Sequence, residues 1–270
     1  METAVKEGKY IYCIINANPT PQAFGPLGIG GRGDELYAVC FNDLAAVVSN
    51  SPIKKYSIAR ENMIPHEQAI EEVMKTHTVL PVRFCTITED EEKVKKILER
   101  EHDKFLDLLK NMEGKKELGL KAIFSAKGGP SGGSWSSAGK ADVYKDILEK
   151  YKDIRALKEK LAGLSPEKAY YQHMAIGKMV ENALQREKDI CKDEILNALS
   201  PLAQEVKINS TYGELMILSA AFLVEKHKEA EFDQKVNELG AKYGDKIKFK
   251  YVGTLPPFNF VNVVISTEDL

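Results

Sequence analysis

Two stretches of this chain have no polar face. Residues 10–15 (YIYCII) are aromatic, β-branched or small and apolar throughout, and residues 215–224 (LMILSAAFLV) form the longest apolar run. A half-buried strand alternates, so a run that does not alternate reads as a strand covered on both sides. The longer run has ten residues, about half of what a helix needs to cross a bilayer, and no membrane span is expected. Each run needs a layered core around it, and 270 residues suffice for two.

The pattern around the first run predicts one unit. After residues 10–15 comes a Gly/Pro-rich loop over 16–33, then strands over 36–41 and 44–48. Asn42-Asp43 between them is a two-residue hairpin signal. Ala69, Ile70, Val73 and Met74 sit at helical spacing within 60–76, and residues 79–86 return to strand character. Residues 90–111 read as one amphipathic helix presenting Val94, Ile97, Leu98, Phe105 and Leu109. The order β-β-β-α-β-α resembles a ferredoxin-like unit whose first helix is replaced by the loop, with one helix appended.

A second unit opens with a strand over 118–125. Residues 127–139 (KGGPSGGSWSSAG) read as a flexible linker. Ile147, Tyr151, Ile154, Leu157 and Leu161 then form a helical seam that wants an antiparallel partner. Ser165-Pro166 starts that partner, with Ser as N-cap, and Ser200-Pro201 ends it. Strands over 206–208 and 215–224, a helix over 228–243 and an alternating strand over 246–252 complete β-α-β-β-α-β with a helical hairpin inserted at the first crossover. The expected fold class is α+β: two ferredoxin-like α/β sandwich units, residues 1–113 and 114–270, the second with long helices and an apolar C-terminal tail.

Composition narrows the function. Lys and Arg total 38 against 40 Asp and Glu, a net charge of −2, which argues against a nucleic-acid partner. Cys13, Cys40, Cys85 and Cys191 are scattered, without the paired spacing of a zinc site, and read as buried thiols in a reducing compartment. The first nine residues are polar and of mixed charge, unlike a signal peptide, so a cytoplasmic protein is expected. Gly28, Gly30 and Gly33 match a dinucleotide fingerprint, but a strand follows them where a helix N-terminus is required. Arg32-Gly33-Asp34 reads as a chance tripeptide. His66, His77, His102, His173 and His227 are spread out, and no hydrolase, metalloprotease or P-loop motif occurs. Neither catalytic residues, nor a metal, nor a cofactor are expected. The alternative is a small-ligand-binding or enzymatic ferredoxin-like pair, which would show a closed pocket with convergent polar groups.

Two stretches stand out as candidates for partner binding or interdomain contact. Residues 79–86 (VLPVRFCT) place Pro81 and Arg83 among Leu80, Val82 and Phe84, so an edge or bulged strand is expected. Arg83 must reach water or find an internal partner, and an internal ion pair is the expected solution. Residues 253–261 (GTLPPFNFV) carry Pro256-Pro257, which favours an extended chain, followed by Phe258 and Phe260. Residues 258–265 are too apolar for solvent and are expected to pack across the domain boundary onto the first domain.

Five segments in order resemble the gas vesicle protein F/L family: YIYCII; FGPLGIGG at 24–31; LYAVCFNDLAAVVS at 36–49; HEQAIEEVMKTHTVLPVRFCT at 66–86; and GTLPPFNFV. The family usually has Gly where this chain has Cys85, and often an aromatic where it has Leu255. The resemblance implies a non-enzymatic accessory role in building gas vesicles. It implies binding of the small hydrophobic major shell protein, protection of that protein from aggregation, contacts with other accessory proteins, and residence as a minor vesicle component.

Overall fold

In a computed structural model of the protein, residues 6–18, 22–125, 137–160 and 166–265 are described, the side chains of 137–142 and 166–169 excepted. Contacts divide the chain into two compact units, Met1–Glu117 with Gly253–Leu270, and Leu118–Val252. The boundary therefore falls a few residues beyond 113, and the tail from Gly253 groups with the first unit rather than the second.

The first unit contains β1 (Glu7–Asn16), β2 (Ala23–Gly25), β3 (Leu36–Phe41), β4 (Leu44–Pro52), α1 (Arg60–Met74), β5 (Leu80–Pro81), β6 (Ile87–Thr88), α2 (Glu91–Arg100) and α3 (His102–Met112). Its sheet runs β2-β3-β4-β1-β5, with β6 also on β1. Setting aside the short β2, the order is second, third, first, fourth, as in a ferredoxin-like unit. Residues 10–15 lie in the middle of it, each fully buried. A bulge between Ile11 and Cys13 lets Tyr10, Tyr12, Cys13 and Ile15 share one core with Ala69, Ile70 and Val73 of α1. Val94, Ile97, Leu98, Phe105 and Leu109 of α2 and α3 are buried as expected and serve the other face. β6 comes so near β1 that a Cβ at Gly8 would meet the Thr88 carbonyl at 2.3 Å, so only glycine fits there.

Three local expectations for this unit are corrected. A short strand, β2, interrupts the expected 16–33 loop, whose residues 19–21 lie outside the described residues. The expected strand over 79–86 shrinks to β5, because Pro81 has no N–H to extend the ladder and Cys85 takes a left-handed φ of 66°. The single helix over 90–111 is two, broken at Glu101 (φ −103°, ψ 13°). The apolar phase carries across the break, since Leu98 and Phe105 are seven residues apart and face one sheet.

The second sheet runs β10-β7-β9-β8. Its elements are β7 (Lys115–Phe124), α4 (Ser137–Lys150), α5 (Lys152–Lys160), α6 (Pro166–Leu199), β8 (Glu205–Ile208), β9 (Met216–Glu225), α7 (Glu229–Tyr243) and β10 (Ile247–Leu255). The strand order is fourth, first, third, second. Leu118 and Leu120, Leu218 and Phe222, Ile195 and Leu199, and Phe232 and Val236 close a common core. A satellite core joins Val143, Ile147 and Ile154 to Ala183 and Leu184 of α6, so the seam finds its antiparallel partner. The seam helix is broken at Tyr151, whose hydroxyl donates to Glu187 at 2.8 Å, while Lys150 Nζ donates to the same carboxylate at 2.7 Å. Residues 127–136 of the expected linker, Leu161 of the seam and the Ser165 cap lie outside the described residues. Ser137, Ala138 and Gly139 belong to the first turn of α4 rather than to a linker.

Candidate functional site

The two stretches singled out in the sequence meet within the first unit. Val82 forms an isolated parallel bridge with Val263, and the Arg83 N–H donates to the Val263 carbonyl at 3.4 Å. β10 ends at Leu255, and Pro256 and Pro257 are buried. The chain then turns instead of running extended. The N–H of Phe260 and that of Val261 both donate to the Pro257 carbonyl, at 3.1 and 2.8 Å. A Pro carbonyl remains a full acceptor, which is why a helical turn can follow the Pro-Pro step.

Glu117, next to the unit boundary in β7, secures that turn. Its carboxylate accepts from the Asn259 backbone N–H at 3.0 Å and from Asn259 Nδ2 at 2.6 Å, and it is only 2% exposed. Burial raises its pKa, and the two Asn259 bonds oppose the rise. Two donors on one buried carboxylate tie the tail far more firmly than the single long bond at Val263.

Beneath the turn lies His66, placed by α1 at 1% exposure. Its ring stacks on Tyr12 at 5.8 Å, lies edge-on to Phe84 at 5.5 Å, and is covered by Phe258 at 6.2 Å. The Cys85 N–H donates to the Tyr10 hydroxyl at 2.8 Å, and Tyr10 pairs with His66 Nδ1 at 3.1 Å. With the neutral ring in the tautomer that carries its proton on Nε2, the Tyr10 hydroxyl accepts from Cys85 and donates to Nδ1. Among the described residues, Nε2 finds no hydrogen bond of normal geometry. Burial pushes the His66 pKa down to about 4, the Val82 carbonyl opposing weakly.

Leu80 and Pro81 are buried and hold β5 on β1, while Phe84 and Phe260 are half-buried. Phe258 remains 41% exposed and Val264 54%. Arg83 is exposed, and no ion pair to it occurs among the described residues, so the expected internal pair is corrected. The strand breaks at the bridge to the tail, and the side chain snorkels to water. His66, Glu117 and Val263 were not marked as site residues in the sequence. The one available signal for Glu117 was its place beside Leu118 and Leu120 in an alternating strand, where it reads as solvent-facing.

Cys85 explains its own oddity. A residue at φ 66° is where glycine is at home and a side chain is strained. Cys85→Gly is expected to stay within about 1 kcal/mol of the parent, relief of strain offsetting the lost Sγ contact to the Tyr56 N–H. Cys85→Val, β-branched, should lose about 2 kcal/mol. Chemical denaturation of both variants checks the ranking, and equal stability of the two would refute it.

Elsewhere in the unit, an open depression of about 550 Å³ is lined by Phe41, Asn42 and the charged turn from Glu99 to Lys104. It includes none of the candidate residues. Among the described residues, no group of three or more His, Cys, Asp or Glu is placed to hold a metal, and no helix is long and apolar enough to cross a membrane.

Fold and site together define a mixed α/β protein with two sheets, whose convergent surface is aromatic and apolar. The family model described as gas vesicle synthesis protein GvpL/GvpF matches residues 8–262. Gas vesicle protein F of Dolichospermum flosaquae is 25% identical, over 94% of this chain and 97% of its own length. Gas vesicle protein F of Nostoc sp. is also 25% identical, over 96% and 100%. The crystal structure of gas vesicle protein GvpF from Anabaena sp. PCC7120 superposes with a TM-score of 0.77 at 22% identity, covering 96% of this chain and all of that one. GvpF from Microcystis aeruginosa gives 0.72 over 95% and 99%, also at 22% identity. These two speak to the fold, which they share. The chain belongs to the gas vesicle GvpL/GvpF family, a family of vesicle structural or assembly proteins and not a known enzyme family.

Proposed function

We propose that the protein is a gas vesicle assembly factor that binds the hydrophobic major shell protein, limits its aggregation and helps vesicle nucleation. It would act in the cytoplasm, together with other accessory proteins, and remain with the vesicle as a minor component. The observation that supports this reading is the convergence of residues 82–84 with the tail, in which Arg83, Phe258 and Val264 are all exposed. An exposed aromatic and an exposed arginine on two segments that meet have the make-up of interface anchors. A shell protein awaiting lateral assembly exposes apolar faces and strand edges that such a surface can cover.

The test uses full-length variants and purified shell protein. Phe258→Asp is expected to weaken capture at least about tenfold. Arg83→Ala should weaken it less, and its stability should stay within about 0.5 kcal/mol of the parent, as for an exposed side chain. Undiminished capture and undiminished suppression of shell-protein aggregation by both variants would remove this surface from the function.

A further inference from the structure

The first sheet ends at an edge that is covered by the chain itself, and the cover is held unevenly. β5 pairs with β1 only through Leu80 and Pro81, after which the Val82 N–H donates inward to the Tyr12 carbonyl at 2.9 Å. The next amide, Arg83, points outward, and the Val263 carbonyl takes it at 3.4 Å, at the long limit of a hydrogen bond. Along the tail, Val261 and Val263 are buried at 3% and 2%, whereas Asn262 and Val264 are exposed. That alternation is how a strand presents itself to a sheet. Upstream, the segment is tied by two bonds from Asn259 to Glu117. Downstream of Asn259, among the described residues, the backbone bond of acceptable geometry to the edge is the long one at Arg83, beside the isolated Val82–Val263 bridge. The turn itself is closed by the Val261 N–H on the Pro257 carbonyl, so the residues that can lift away while it stays seated are those after Val261, about Asn262.

We propose that the edge at Val82 and Arg83 is a strand-exchange site, in which residues 262–265 are a placeholder for an extended segment of the partner. With Val261 before it, the placeholder shows what the site accepts: β-branched apolar residues at alternate positions, Val261 and Val263 buried, with exposed residues between and beyond them, Asn262 and Val264. Its single weak bond leaves room for an incoming strand with a fuller set of main-chain bonds to win. Arg83, exposed and without an ion pair among the described residues, adds a preference for a carboxylate flanking that segment. The inference rests on the reading that the partner is the shell protein, but it can be tested without that protein.

Val263→Asp in the full-length protein places a charge in a buried site and frees the segment without altering the edge. The probe is a synthetic peptide of the chain's own residues 258–265, with a scrambled peptide as control. The variant should bind the peptide at least tenfold more tightly than the parent does. Amide exchange at Arg83 should be fast in the variant alone and slow again with peptide. Glu117→Ala, which loosens the anchor with no charge placed in the core, should shift both readouts the same way and guards against a misfolded first variant. Equal peptide affinity for parent and both variants, or no return of protection at Arg83, overturns the proposal. Release that strengthens peptide binding but not capture of shell protein leaves the exchange site standing and removes the shell protein as its occupant.

Discussion

Replacing Tyr10 by phenylalanine is expected to destabilise the first unit by about 2–4 kcal/mol, although only one oxygen is lost. That hydroxyl accepts from the Cys85 N–H at 2.8 Å and pairs with His66 Nδ1 at 3.1 Å. Tyr10 and His66 are both buried, and burial holds the Tyr10 phenol protonated well above its ordinary range. Without the hydroxyl, a backbone donor at a strained φ and a ring nitrogen both lose their partner. Each orphaned group costs about 1–3 kcal/mol, while the apolar gain from Phe is small. Tyr37→Phe is the control. Its hydroxyl also has two partners, accepting from Lys9 and donating to Glu91, but both remain within reach of water and the loss should stay below about 1 kcal/mol. Urea denaturation of the two variants measures the difference. If Tyr10→Phe costs no more than Tyr37→Phe, water reaches the Tyr10 site and the buried network contributes little.

Much of this fold is legible from the residues because burial writes itself into composition. The run YIYCII could only be a central strand, and Asn42, at φ 50°, is the hairpin residue its side chain suits. Most of the order of strands and helices along both units follows from the pattern of apolar runs. The breaks at Glu101 and Tyr151 were hidden for a physical reason: helices on either side of a one-residue break bury the same face, so the apolar period never slips. Local backbone chemistry hid the rest. Nothing in VLPVRFCT announces that Cys85 turns left-handed, and a Pro-Pro step tells nothing of a turn closed by its own carbonyl.

The site was legible in its parts but not in its assembly. Arg83, Phe84, Pro256 and Phe258 drew attention because each conflicts with its local pattern. What joins them is carried by Glu117 and His66, which conflict with nothing nearby. A glutamate in an alternating strand and a histidine on an amphipathic helix are unremarkable until a distant segment covers them. Long-range closure of this kind, from Glu117 to Asn259 and from Val82 to Val263, has no short-range signature.

His66 makes stability fall in acid, over a window set by its burial. Its pKa is 6.5 when unfolded and about 4 in the folded protein, so the folded ring resists the proton that the unfolded chain accepts. Between these values the unfolded state binds more protons, and stability must fall as pH drops. The contribution is intact above pH 6.5 and lost by pH 4, a total of about 3 kcal/mol. Among the described residues, no carboxylate near the ring offsets this. Tyr10 and Tyr12 face it as neutral phenols, burial pushing Tyr12 to about 12, and Glu67 on its own helix is itself raised by burial. Glu117 acts in the opposite sense. Its raised carboxyl takes up a proton first in the folded state, so falling pH adds stability there and masks part of the loss. Carboxylates held low, such as Glu91 by the Tyr37 hydroxyl and Glu101 by Lys104, give up their contribution only below the ordinary 4.5 of a glutamate. The clean measurement is therefore a difference. Unfolding free energies of the parent and of His66→Gln, taken from pH 7.5 to 4, should converge as pH falls, the parent losing about 3 kcal/mol more than the variant. Parallel curves would mean that His66 titrates alike in both states, and that the ring beneath Phe258 is not sealed from water.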